Sequence, residues 1–211
     1  MTEENLIDPR EIPGHSVVDA SVGTIEPVTW DLLSHSEYVA QTGISFINCL
    51  TDAYSRVQII LSEISFDKDN CEIWMLMGAG GVFNTSGTDH YSRVEQGDVN
   101  THATAIHNAN GKAYLKITQT PTTTFLSHPG SLIIDVFPSG ADGYASACWT
   151  GMTSSSDATI TKTTGWGFCG TPRVSSLMIV GTTTFTVGDY PRITAAATAY
   201  GVPLAALNKD K

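Results

Sequence analysis

The chain has 211 residues, with 11 Lys+Arg against 21 Asp+Glu, a formal net charge of -10, and 41% hydrophobic against 15% charged residues. That length buries a sizeable core, and that hydrophobicity excludes a chain disordered throughout. So acidic a chain is a poor partner for nucleic acid or an anionic membrane surface, and neither is expected. Abundant Thr and Ser with 19 Gly favour short strands and tight turns over helices.

Residues 1–43 read as an extended or irregular N-terminal arm. Pro9, Pro13 and Pro27 each remove a backbone donor and restrict the preceding residue. Met1–Asn5 is acidic and lacks an apolar run, so no secretory signal is expected. No stretch approaches the roughly 18 apolar residues of a membrane helix. Trp30–Leu33 reads as one short turn. Ile7, Ile12, Val17, Val18, Ile25 and Trp30 are the arm's candidates for anchoring on a partner. The bland alternative is a partly disordered tail.

From Ile44 the pattern becomes apolar clusters broken by turns, predicting a sandwich domain over 44–202 and a tail over 203–211. Ile44–Leu50 reads as a strand. Val57, Ile59 and Leu61 repeat at period two within Tyr54–Ile64. Cys71–Met77 is continuously apolar, as a central strand buried on both faces would be. Residues 82–101 read as a long polar loop. Thr101–His107 and Lys112–Gln119 read as two strands of a hairpin, with its turn at Asn108-Ala109-Asn110-Gly111. In the second of these, Ala113, Leu115 and Ile117 face a core, while Lys112, Tyr114 and Lys116 face water. Ser131–Phe137, Tyr144–Thr150, Thr159–Thr163, Arg173–Val180 and Thr183–Val187 read as further strands. The Ala-rich segment Arg192–Tyr200 leaves helix open as an option. About ten short strands with regular turns predict an all-β antiparallel sandwich or barrel. The expected core comprises Val57, Ile59, Leu61, Trp74, Leu115, Ile117, Ile134, Val136, Leu177 and Ile179.

The catalytic signatures looked for are missing: no GxSxG elbow, GxxxxGK[ST] loop or GxGxxG fingerprint occurs. His102 and His107 stand five apart, which on a strand puts them on opposite faces. Asp89-His90 lacks an HExxH or HxH context, so no metal or other cofactor is expected. Asp67-Lys68-Asp69-Asn70 lacks the Gly and Glu of a calcium loop and reads as a turn. Acids near Asp89, Glu95 and Asp98 keep a glycosidase pair open. Cys49, Cys71, Cys148 and Cys169 are too few and too spread for a disulfide framework and read as reduced and mostly buried. Tyr91, Trp149 and Trp166 are candidate ligand contacts, since aromatic platforms with polar neighbours bind sugars or protein partners. Their alternative is core packing.

The order of features resembles a known group. It runs from Ile44-x-Phe46 to Tyr54-x-x-Val57-x-Ile59-x-Leu61-x-x-Ile64, then Asp69-x-x-x-Ile73-x-Met75-x-Met77, a glycine turn and Tyr91. It closes with Val174–Val180, Phe185-Thr186-Val187-Gly188-Asp189 and Tyr200-Gly201-Val202. This resembles the jelly-roll-like β-sandwich domains of tailed-bacteriophage virion appendages, that is tail or head fibres and capsid decoration proteins. Ala199 stands where the closing motif usually has Leu. The resemblance implies a virion structural protein assembled in the bacterial cytoplasm, without catalytic residues. It implies a homotrimer with other virion proteins (capsid, portal or tail) as partners, and contact with a host-surface glycan. Loops 82–100 and 151–170 would form the ligand-facing end. The alternative is a lectin-like carbohydrate-binding module using Trp149 or Trp166.

Overall fold

Burial is most continuous along β4 (Cys71–Ala79), where every residue from Cys71 to Gly78 is buried. Alternate side chains of a strand point to opposite faces. Cys71, Ile73, Met75 and Met77 join one apolar cluster, and Trp74 and Leu76 join another with Val180. A computed structural model describes residues 30–68, 71–83, 89–98, 104–118, 130–138, 144–156, 159–170, 174–183 and 191–204. Among them β4 is flanked by β12 (Ser176–Thr183), with β2 (Ile44–Phe46) beyond it. On its other side lie β5 (Val82–Phe83) and β8 (Leu115–Lys116).

This five-stranded sheet packs on one face of an eight-stranded one. The larger sheet runs in the order β1 (Asp31–Gln41), β13 (Ile193–Pro203), β3 (Tyr54–Phe66), β9 (Gly130–Phe137), β10 (Ala145–Ser156), β11 (Thr159–Cys169), β6 (His90–Asp98) and β7 (Thr104–Lys112). Every pairing is antiparallel, so the fold is the expected all-β antiparallel sandwich. Between the sheets lie Val57, Ile59 and Leu61 of β3 and Leu132, Ile134 and Val136 of β9. They meet Ile73, Met75, Leu177 and Ile179 of the smaller sheet. Burying each such side chain stabilises the fold by roughly 1.5–3 kcal/mol. All ten residues of the expected core are buried, though Trp74 lies in the second cluster and not between the sheets.

Several expectations are corrected. Residues 31–41 do not belong to an irregular arm, and Trp30–Leu33 is not an isolated turn: β1 pairs along β13 from Asp31–Gly201 to Gln41–Ile193. Its inward residues Leu33 and Tyr38 are separated by polar ones, which hides its period. The loop expected over 82–101 contains β5 and β6. In β6 the buried positions are His90, Ser92 and Val94, so two of three inward side chains are polar. The hairpin turn expected at Asn108–Gly111 is absent. Those residues continue β7, and only a bulge at Gly111 (φ 60°) marks them. The segment 151–170 is not a loop either but the β10–β11 hairpin, paired from Ala145–Cys169 to Ser156–Thr159.

The Ala-rich segment is strand, not helix. In β13, Ala197 and Ala199 face Leu61 and Ile59 across the β3 ladder, and the small residues make room for the large ones. Cross-strand packing overrides the helix propensity of Ala. The face expected to be wet at Tyr114 and Lys116 is covered: Lys116 Nζ bonds Glu72 Oε1 at 2.8 Å, and Tyr114 stacks on Trp74 at 3.6 Å. The strand expected over Thr183–Val187 lies mostly outside the described residues, as do Phe185–Asp189 of the resemblance and 205–211 of the tail.

Candidate functional site: the outer face of the large sheet

The smaller sheet covers one face of the larger, and the other carries most of the exposed large apolar side chains. Residues paired across an antiparallel ladder share a face. One outward row therefore reads Phe137, Ser146, Phe168, Tyr91 and Asn110 across β9, β10, β11, β6 and β7. The next reads Asp135, Cys148, Trp166, Arg93 and Asn108. The third reads Ile133, Thr150, Thr164, Glu95 and Ile106. The Tyr91 and Phe168 rings stack at 4.8 Å, and Tyr144 leans on Phe168 at 6.4 Å. Trp166 is 55% exposed beside them.

The glycines flanking Trp166 serve the opposite face. A Cβ on Gly165 would stand 2.5 Å from the Trp149 ring, and one on Gly167 would stand 2.8 Å from Leu115 Cδ2. Gly165 and Gly167 thus let Trp149 and Leu115 lie flat under β11, and strand parity turns Trp166 and Phe168 outward. Trp149 is not a surface contact. It is 4% exposed, and its Nε1 donates to Ile117 O at 3.0 Å. A buried indole packs as core and finds an acceptor for its N–H.

Two charge pairs lie on this face. Arg93 Nη2 donates to Glu95 Oε1 at 3.2 Å beside Trp166. Asp135 accepts from Gln58 Nε2 at 3.0 Å and meets Arg56 Nε at 3.6 Å. A shallow depression of about 230 Å³ is lined by Arg93, Glu95, Thr164, Gly165 and Trp166, with Trp149 beneath. It offers an aromatic ring, a guanidinium, a carboxylate and a hydroxyl, the set that stacks on and hydrogen-bonds a polyhydroxylated ligand.

A larger cleft of about 430 Å³ lies where β1 meets the loop after β2, lined by Leu33, Phe46, Asn48, Cys49 and Tyr54 among others. Burial pushes the Cys49 thiol up to about 12, so it stays protonated and is no nucleophile. Cys49, Cys71 and Cys169 are buried, whereas Cys148 is exposed on the outer face. Its pKa is raised by burial of the sulfur and then by Asp135, with Arg56 opposing. His90 is buried with Nδ1 3.2 Å from Lys112 O, and its Nε2 has no hydrogen-bond partner. Burial lowers its pKa, against the Lys112 carbonyl and Asp89. Among the described residues, no group of three or more His, Cys, Asp or Glu is placed to hold a metal ion.

Of the sequence candidates, Tyr91 and Trp166 come together on the outer face and Trp149 does not. Trp30 packs on its own sheet, edge-on to Tyr200 at 6.4 Å and beneath Arg56 at 4.5 Å. Ile7, Ile12, Val17, Val18 and Ile25 lie outside the described residues. Sequence reasoning missed Tyr144, Phe168 and Arg93. The parity of Thr164, Trp166 and Phe168 was the available signal, hidden while that segment was read as loop. No protein-family model, curated protein or solved structure matches the chain.

Proposed function

We propose that the chain is a structural protein of a tailed-bacteriophage virion, a tail or head fibre or a capsid decoration, that acts by assembly and recognition without turnover. It docks through the segment preceding β1 and presents the outer face of its large sheet. The observation that carries this reading is that face itself. An exposed aromatic ledge (Tyr91, Phe168, Tyr144, Trp166) lies between paired charges, on a broad sheet. Contiguous exposed apolar surface marks interaction sites. Few charges and many strands suit a rigid displayed module. The order of apolar motifs that resembles phage appendage domains supports the same reading.

The lectin-like alternative draws on one specific feature, the Trp166 ring beside the Arg93–Glu95 pair. The two readings separate on assembly. A host-surface glycan array and a solution-mass measurement, run on the full chain and on a chain starting at residue 30, test both. The appendage reading expects self-association, with the homotrimer as the resemblance has it. It also expects glycan binding that falls about tenfold in Trp166→Ala, as loss of a stacking contact does. A monomer that binds glycans equally well without residues 1–29 overturns it in favour of the lectin-like module. A chain that neither associates nor binds overturns both.

A further inference from the structure

The large sheet ends in two strands, β1 and β7, that each pair with a single neighbour among the described residues. An edge strand presents a row of unpaired N–H and C=O groups, and proteins blunt such edges with charge, proline or bulges. The two edges differ sharply in this respect. β1 carries Asp31 and Glu37, and its register against β13 breaks between Leu32 and Ser34 and again between Tyr38 and Gln41. Ala40 adds a positive φ of 51°. That edge is blunted.

β7 has none of these devices along most of its length. From Thr104 to Gly111 it contains no Asp, Glu, Lys, Arg or Pro. Its register against β6 is unbroken from Gly97–Thr104 to Tyr91–Asn110. Both of its faces are open: Thr104 to Asn108 and Asn110 are exposed, and only Ala109 is buried. Ile106, a β-branched apolar residue, is 51% exposed there.

We infer that β7 is a self-association edge, and that a second copy of this chain pairs with it, β7 to β7, antiparallel about a twofold axis. Three points select this occupant. The net charge of -10 makes most surfaces of two copies repel, and β7 offers a neutral line of approach. Pairing β7 with the partner's β1 would instead press a straight strand against two bulges and two carboxylates. A twofold centred on Asn108 pairs Ile106–Asn110 with the same segment of the second copy and brings the ends of the strand side by side across the Gly111 bulge. It sets Ile106 against the partner subunit's Asn110 and Lys112 beside the partner subunit's Thr104, so no like charges meet. The result is one continuous sheet across two subunits, isologous by symmetry. A strand edge is satisfied by one partner, so this contact makes a twofold dimer in place of the threefold assembly that the family resemblance implies, and a solution mass tells the two apart.

Sedimentation equilibrium over a concentration series tests it on the full chain, beside an Ile106→Lys/Asn108→Lys double variant. Both substituted side chains point outward from the exposed edge strand, so circular dichroism should stay unchanged, and so should thermal unfolding at concentrations where the wild type is a single chain. The wild-type mass should rise from one chain toward two, and the variant should stay at one chain, because like charges meet across the axis. Amides of 104–112 in the wild type should exchange about tenfold more slowly in the associated state, and those of the variant should not. A wild type that remains at one chain mass up to its solubility limit overturns the inference. So does a three-chain mass, or a folded variant that associates as the wild type does.

Discussion

Gly165 and Trp166 are neighbours with opposite tasks, and substituting each should give opposite results. Gly165→Ala places a methyl 2.5 Å from the Trp149 ring and 2.6 Å from Arg93 O. Overpacking of this kind costs about 1–3 kcal/mol, which urea unfolding would read as a lower midpoint. Trp166→Ala removes an exposed ring and should move stability by no more than about 0.5 kcal/mol. His90 gives a second test. Its imidazole is buried, and burial holds its pKa below the ordinary 6.5. As pH falls through 6.5 the unfolded chain takes up a proton that the folded chain does not. Stability should therefore be full above that pH and decline as pH drops toward the folded value. His90→Leu should flatten that part of the stability–pH curve. At Glu72 and Lys116, Trp74 Nε1 also donates to the carboxylate at 2.9 Å. Lys116→Met strands a buried carboxylate and should cost about 3–5 kcal/mol. Adding Glu72→Met should recover part of that loss in a double-mutant cycle.

Elements were legible in the sequence where inward side chains were apolar and missed where they were not. Cys71–Met77 reads as a buried strand because both faces meet apolar clusters. The strand around Val57, Ile59 and Leu61 is equally plain. β6 is opaque, since its interior residues include His90 and Ser92. β7 contains an Asn-Gly pair that signals a turn in isolation, and ladder pairing with β6 holds it straight. In the site, Trp149 and Trp166 looked alike as residue types. Parity separates them: Ala145, Ala147 and Trp149 share the buried face of β10, and Cys148 and Thr150 the exposed one. The misplaced arm boundary yields a prediction at this scale. A chain starting at residue 30 keeps β1, and one starting at residue 44 loses it and uncovers β13. The second should unfold at lower urea than the first, by the contribution of Leu33, Tyr38 and the β1 ladder.

At the scale of the whole molecule the sheets are closed by residues far apart in the chain. β1 lies on β13, β3 lies between β13 and β9, and β12 joins β2 to β4. The larger sheet is not complete until the C-terminal strand β13 has been made, and the smaller not until β12 has. Such non-local pairing folds in milliseconds to seconds at the slow end of small domains, and stopped-flow refolding should show rates in or below that range. It also predicts that a fragment ending before Ile193 does not reach a native near-ultraviolet spectrum.

The β1–β13 ladder also sets a lever arm. Asp31 pairs with Gly201, so the chain enters and leaves the sandwich at the same corner of the same sheet edge. Seven inter-strand spacings across the eight-stranded sheet separate that corner from β7, about 34 Å at the usual 4.8 Å spacing. A fluorescent label placed at residue 32, near the start of β1, would ride on the edge remote from β7. In a pair joined along β7 the two labels would stand about 70 Å apart, with little energy transfer between them. Labels at residue 104 on the two copies would report the same event as bright transfer. The large sheet thus has two unlike edges, one blunted and one open to pairing, and a ruler's length of sheet between them.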